Sequence, residues 1–214
     1  MIVYSCQHKP LDYATLTTKP FPAKLVYKWH IANFTNDMDK YKVILTFERV
    51  IQIWQRAIDQ IEPRQVCITF ESTNDITQAD FIFTFGVSYH KFLDKFKDEH
   101  ECPFPFDDAG GVLAHAWSLC QDDVYGGHIH LDEAENWSEM HSNNHTHLLT
   151  VILHEMGHCL DIDHSSVKQS IMYPSYTGVK TSLDIDDILA LTEKFKPVKL
   201  SFMPKKKKPW WRFW

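Results

Sequence analysis

The stretch HEMGHCLDIDH, residues 154–164, sets His154, Glu155, His158 and His164 within eleven positions. On a helix, residues i and i+4 lie one above the other on the same face, so His154 and His158 can direct both imidazoles at a single ion. Glu155 stands one residue round, placed beside that ion to hold a water. The helix must then stop and the chain turn back for His164 to supply a third nitrogen. Three protein ligands leave a catalytic zinc one coordination position for chemistry, whereas a structural zinc is closed by four. H-E-x-x-H on a helix has this zinc-plus-base arrangement. With 13 histidines in 214 residues, a pair at helical spacing alone means little. The glutamate, the third histidine and the helical context together give the segment its meaning.

Outward from this segment, HSNNHTHLLTVILHEMGHCL predicts a helix entered through Asn143 or Asn144 as N-cap and ending near Leu160. Residues 39–60 repeat apolar side chains at Val43, Phe47, Val50, Ile51, Trp54 and Ile58, which predicts a long amphipathic helix. KLVYKWHI (24–31), VCITF (66–70), DFIFTF (80–85), GVLAHAW (111–117) and HIHLD (128–132) read as strands. A last helix, LDIDDILALTEKF, follows Ser182 as its cap. Helices segregated from a run of strands predict an α+β fold with one mixed sheet. Three parts are expected: an N-terminal arm at 1–23, a domain at 24–197 and a basic aromatic tail at 198–214.

Composition narrows the function classes. A net charge of −6 gives no overall reason to expect a nucleic acid as partner, and no apolar run is long enough for a membrane span. The start, MIVYSCQHKPLDY, lacks a basic region followed by an apolar one, so no signal peptide is expected. Five cysteines without a C-x-x-C pair are not a disulfide framework, and Cys67 and Cys159 read as buried thiols.

The motif H-E-x-x-H-x-x-G-x-x-H is the metzincin pattern, and this chain resembles it with Asp161 in place of the glycine. Aspartate is among the few residues that tolerate the left-handed turn required there. SIMYPSY supplies Met172 eight residues after His164, as in a methionine turn. NFTNDM (33–38), QADFIFTF (78–85), PFDDAGGVLAHAW (105–117) and GGHIHLDEAENW (126–137) follow in the order of a matrixin, or matrix metalloproteinase, catalytic domain. That resemblance runs from about Lys24 to Phe195. It implies a twisted five-stranded mixed sheet with three helices, and a cleft at the second helix.

The resemblance further implies a zinc endopeptidase with His154, His158 and His164 as zinc ligands and Glu155 as general base. Leu113 and Ala114 would pair with an extended peptide substrate, and Thr150, Pro174 and Tyr176 would border its specificity pocket. A structural zinc would take His100, Cys102, His115 and His130, with Cys102 standing where the family has aspartate. A Cys102–Cys120 disulfide is the alternative. A calcium site would use Asp107, Asp132 and Glu135 by side chain, and Asp108, Gly110 and Val112 by backbone oxygen. A second calcium site is degraded, with His128 in place of an aspartate despite Asp80. His128, His141, His145 and His147 read as surface histidines. A monomer acting extracellularly is expected.

Two terminal features leave their readings open. Cys6 is either a worn latency switch or an inert thiol. KKKKPWWRFW (205–214) is either a solvated end or a dock for an anionic membrane. The competing functional reading is a retired, non-enzymatic metal-binding module on the same scaffold. Asp161, Cys102 and His128 favour it, and the intact Glu155 with its three histidines opposes it.

Overall fold

A computed structural model describes residues 24–61, 68–121, 123–140 and 144–195. The expected arm at 1–23 with Cys6, the tail at 198–214, Cys67, His141 and Asn143 lie outside the described residues.

The first strand, β1 (Val26–Ile31), leads into α1 (Lys40–Asp59), whose apolar stripe is the one the periodicity predicts. Asp39 caps α1 by accepting from Tyr41 N at 2.9 Å, satisfying a donor that has no intrahelical partner. β2 (Thr69–Ser72) and β3 (Phe81–Gly86) follow, then a short hairpin of β4 (Lys91–Leu93) and β5 (Glu99–Glu101). β6 (Ala114–Ala116) and β7 (His128–Asp132) complete a five-stranded sheet in the order β2-β1-β3-β7-β6. β2, β1, β3 and β7 are parallel, and β6 runs antiparallel to β7 at the edge. The sheet is therefore mixed, as expected. β8 (Trp137–Ser138) pairs with β9 (Thr146–His147), which opens directly into α2 (Leu148–Cys159); α3 (Ile185–Phe195) closes the described chain.

The core lies between the sheet and the helices. Phe47 of α1 meets Phe83 of β3 edge to face at 4.6 Å, and Trp54 donates its indole N–H to Leu153 O of α2 at 3.1 Å. Burial of each such ring is worth about 2–3 kcal/mol, and an edge-to-face pair adds about 1 kcal/mol. This packing fixes α2 in rotation and height against the sheet.

Two expected helix starts are corrected. α2 is capped by His147, whose Nδ1 accepts from Thr150 N at 3.3 Å, so Asn144 does not cap it. α3 begins through Asp184, whose side chain accepts from Asp186 N at 3.1 Å and whose carbonyl accepts from Ile188 N, rather than through Ser182. Asp184 sits next to the helix, where its carboxylate also meets the positive end of the helix dipole.

Candidate active site

α2 presents His154 and His158 on one face, and Asp161 turns the chain after it with φ 64°, the left-handed conformation the sequence requires of it. Its carboxylate is then held by Lys194 at 2.7 Å. His164 returns to the site. His158 Nε2 lies 3.0 Å from His154 Nε2 and 3.2 Å from His164 Nε2. The opposite nitrogens are committed: His154 Nδ1–H donates to Ile171 O at 2.7 Å and His158 Nδ1–H to Ile162 O at 2.8 Å. With each proton on Nδ1, the two Nε2 lone pairs face each other at hydrogen-bond distance with no proton between them. A cation at the centre resolves that repulsion, and the carbonyl partners hold the rings in the ligating tautomer. Burial pushes His154 down to about 3, which keeps it a neutral donor. The three residues fit a zinc ion.

Glu155 is buried, and neither carboxyl oxygen has a hydrogen-bond partner among the described residues. Burial alone raises its pKa well above the ordinary value. A nearby divalent cation would draw it back toward the carboxylate.

The loop after His164 passes under α2 at Met172, which is 1% exposed. It is organised by a residue that sequence reading missed. The buried carboxylate of Asp187 accepts from Ser170 Oγ, from Ile171 N at 2.9 Å, from Met172 N at 3.2 Å and from Asp184 N at 2.7 Å. Asp187 thereby sets the strand of chain whose Ile171 carbonyl orients His154. The only sequence signal was an acid on the first turn of a helix.

Of the expected substrate-binding residues, Leu113 precedes the edge strand β6 and Ala114 begins it, both fully buried. Thr150 Oγ1 bonds both backbone groups of Lys180, donating to its carbonyl at 2.8 Å and accepting from its N–H at 2.9 Å. Tyr176 Oη accepts from His147 N at 3.2 Å. Pro174 lies half-buried in that same loop. The loop from Met172 to α3 is thus pinned at two points to the start of α2.

A second group gathers His90, Cys102, His115 and His130, all buried. His90 corrects the expected His100. His90 Nε2 and His115 Nε2 lie 2.9 and 3.2 Å from His130 Nδ1, and Cys102 Sγ lies 3.2 Å from His115 Nε2. The hairpin β4–β5 carries the chain out after His90 and back before Cys102, with Cys102 N donating to His90 O at its base. His100, within the hairpin, instead faces Asp94 at 3.1 Å. Cys102 and Cys120 are both free thiols. Burial raises Cys102 to about 11, so its thiolate form calls for a bound cation.

The expected calcium carboxylates accept from nearby backbone and side-chain donors. Asp107 accepts from Val112 N at 2.9 Å, and Glu135 from Gly110 N at 2.6 Å and Thr146 Oγ1 at 3.0 Å. Asp132 keeps one buried oxygen without a partner, and burial with the neighbouring Glu135, Asp107 and Asp108 raises it to about 6. Asp108 and Gly110 both take positive φ there. Among the described residues these three carboxylates form no group with ligand atoms within 4.8 Å of one another. Asp80 of the degraded site is occupied by Lys24 at 2.5 and 2.8 Å. His128 and His147 are buried, correcting their reading as surface residues, while His145 is exposed.

Converging imidazoles on a helix over a mixed sheet, beside a partnerless buried glutamate, place the molecule in the H-E-x-x-H metal-centre class. More narrowly, the chain belongs to the matrixin family, whose model matches residues 21–196. It is 45% identical to karilysin of Tannerella forsythia over 100 residues, covering 46% of this chain and 21% of karilysin. It is 31% identical to matrix metalloproteinase-18 of Xenopus laevis over 84% of this chain and 34% of that protein. Against matrilysin of Rattus norvegicus the identity is 30%, covering 78% of this chain and 58% of matrilysin. The chain thus spans between about a fifth and three fifths of the length of these relatives.

Proposed function

We propose that this chain is a zinc-dependent endopeptidase that hydrolyses internal bonds of extended peptides. The observation that carries the proposal is the convergence of the His154, His158 and His164 nitrogens next to Glu155, whose carboxyl oxygens have no hydrogen-bond partner among the described residues. A zinc ion held there supplies Lewis-acid polarisation of the scissile carbonyl and lowers the pKa of water. Glu155 takes the proton of the attacking water and delivers it to the leaving amine as the C–N bond breaks. β6, at the sheet edge, aligns the peptide by strand addition. The pinned loop bearing Pro174 and Tyr176 borders one side chain of the substrate.

His90, Cys102, His115 and His130 are proposed to hold a structural zinc through three nitrogens and a thiolate, a closed four-ligand set. A calcium ion at Asp107, Asp132 and Glu135, with carbonyls of Asp108, Gly110 and Val112, would offset the burial and the carboxylate repulsion that together raise Asp132. Action outside the cell, as a monomer, belongs to this proposal. Asp161, one of the departures favouring a retired module, meets its conformational demand, which supports the enzyme reading.

Replacing Glu155 with Gln keeps the shape and removes the base. Cleavage of a quenched peptide should fall by about 10²–10⁴-fold, with zinc content unchanged by metal analysis. Undiminished cleavage by that variant would remove Glu155 from this role.

A further inference from the structure

Lys42, Arg49 and Arg56 recur every seven residues along α1, which places them in one stripe at intervals of about 10 Å. Lys42 is held by Glu139 at 2.6 Å. Arg49 and Arg56 are exposed, and neither has a carboxylate partner among the described residues. Between the two guanidiniums lie Gln52 and the half-buried Ile53, and Thr181 faces them across a groove of ≈ 410 Å³. A second groove of ≈ 350 Å³ shares Leu45 and Arg49 with the first and runs on to His147 and Leu149 at the start of α2. Leu45 is 46% exposed in this shared part. Glu48 is the one acid lining the first groove.

Guanidiniums are planar donors that match carboxylates, and these two stand beside apolar side chains with no carboxylate partner among the described residues. The chain's own tail, with Lys205–Lys208 and Arg212, carries charge of the same sign as the two arginines, so an acidic segment is the complementary occupant. A polypeptide extended in the polyproline-II conformation rises about 3.1 Å per residue with about three residues per turn, so side chains at i and i+3 share one face about 9 Å apart, close to the spacing of the two arginines. We infer that the outer face of α1 is a docking groove for an extended acidic polypeptide segment. Its carboxylates at i and i+3 meet Arg49 and Arg56, and an apolar residue between them covers Ile53. The inference is independent of the peptidase reading, because binding needs no catalysis.

The test is fluorescence anisotropy on the Glu155→Gln chain with a labelled peptide containing Glu-Leu-Ala-Glu, against one of equal composition with adjacent glutamates. The first peptide should bind saturably and more tightly than the second, and about 0.5 M NaCl should weaken it. The double reversal Arg49→Glu with Arg56→Glu should weaken it at least about tenfold, with helical dichroism and zinc content unchanged. If the double variant fails to fold, Arg56→Gln alone should still weaken binding at least about threefold. Equal affinity in the variants, no preference between the peptides or no saturable binding would overturn the inference. So would tighter competition by a single-stranded oligonucleotide, or a dimer of this chain that the reversal dissolves.

Discussion

A Cβ on Gly157 would stand 2.3 Å from Met172 Sδ and 3.2 Å from Trp54 Cζ2, so a side chain at this helical position would displace the Met172 thioether packed against the helix. The H-E-x-x-H spacing reveals the ligands but not this constraint, which comes from a residue fifteen positions on. Asp187 was illegible for a similar reason: its partners Ser170, Ile171 and Met172 lie 15–17 residues away. Sequence patterns report neighbours on one helix face, and these contacts are not of that kind. His128 shows the opposite failure, since a histidine read as a surface residue opens β7 and is buried here against Phe92 and His130. Burial pushes its pKa down to about 4. Between the ordinary 6.5 and that value the unfolded chain binds the proton and the folded chain does not. Its stability contribution is therefore whole above pH 6.5 and lost as pH falls toward 4. Between pH 7.5 and 5 the loss is about 2 kcal/mol. Urea midpoints of His128→Phe should fall correspondingly less over that range. An acid slope equal to that of the parent would refute the assignment.

At the scale of elements, the long periodic helix α1 and the strands β1, β3 and β7 were readable because each satisfies its pattern locally. The hairpin β4–β5 was not. Its strands are three residues long, and β5, Glu-His-Glu, has no apolar residue at all, so neither length nor apolar alternation marks the pair. Missing the hairpin is what put His100 in the place of His90. An excursion that returns to its own base brings residues twelve apart to the spacing of near neighbours, and no sequence alignment through the returning strand reveals that. The consequence is testable by metal analysis. His90→Ala should lose one zinc per chain relative to the parent, whereas His100→Ala should lose none, because His100 only faces Asp94. Loss of zinc from His100→Ala with retention in His90→Ala would restore the alignment-based set.

For the whole molecule, the α+β class, the mixed sheet and the helix bearing the metal residues follow from the order of elements. Their mutual placement depends on packing that the order does not specify. Trp54 and Phe47 lock α1 across α2 and β3, so the face of α2 turned away from α1 is the one that gathers His154 and His158 with His164. The loop from Met172 to α3 is tied down by Asp187, Thr150 and Tyr176 and closes one side of that centre. The proposed catalysis requires a metal at the three histidines. The most direct measurement is cleavage of a quenched peptide by the purified chain before zinc removal with a chelator, after it, and after zinc is restored. Cleavage that disappears with the metal and returns with it is the expected result. Cleavage at full rate in chain shown by metal analysis to hold no zinc would contradict it.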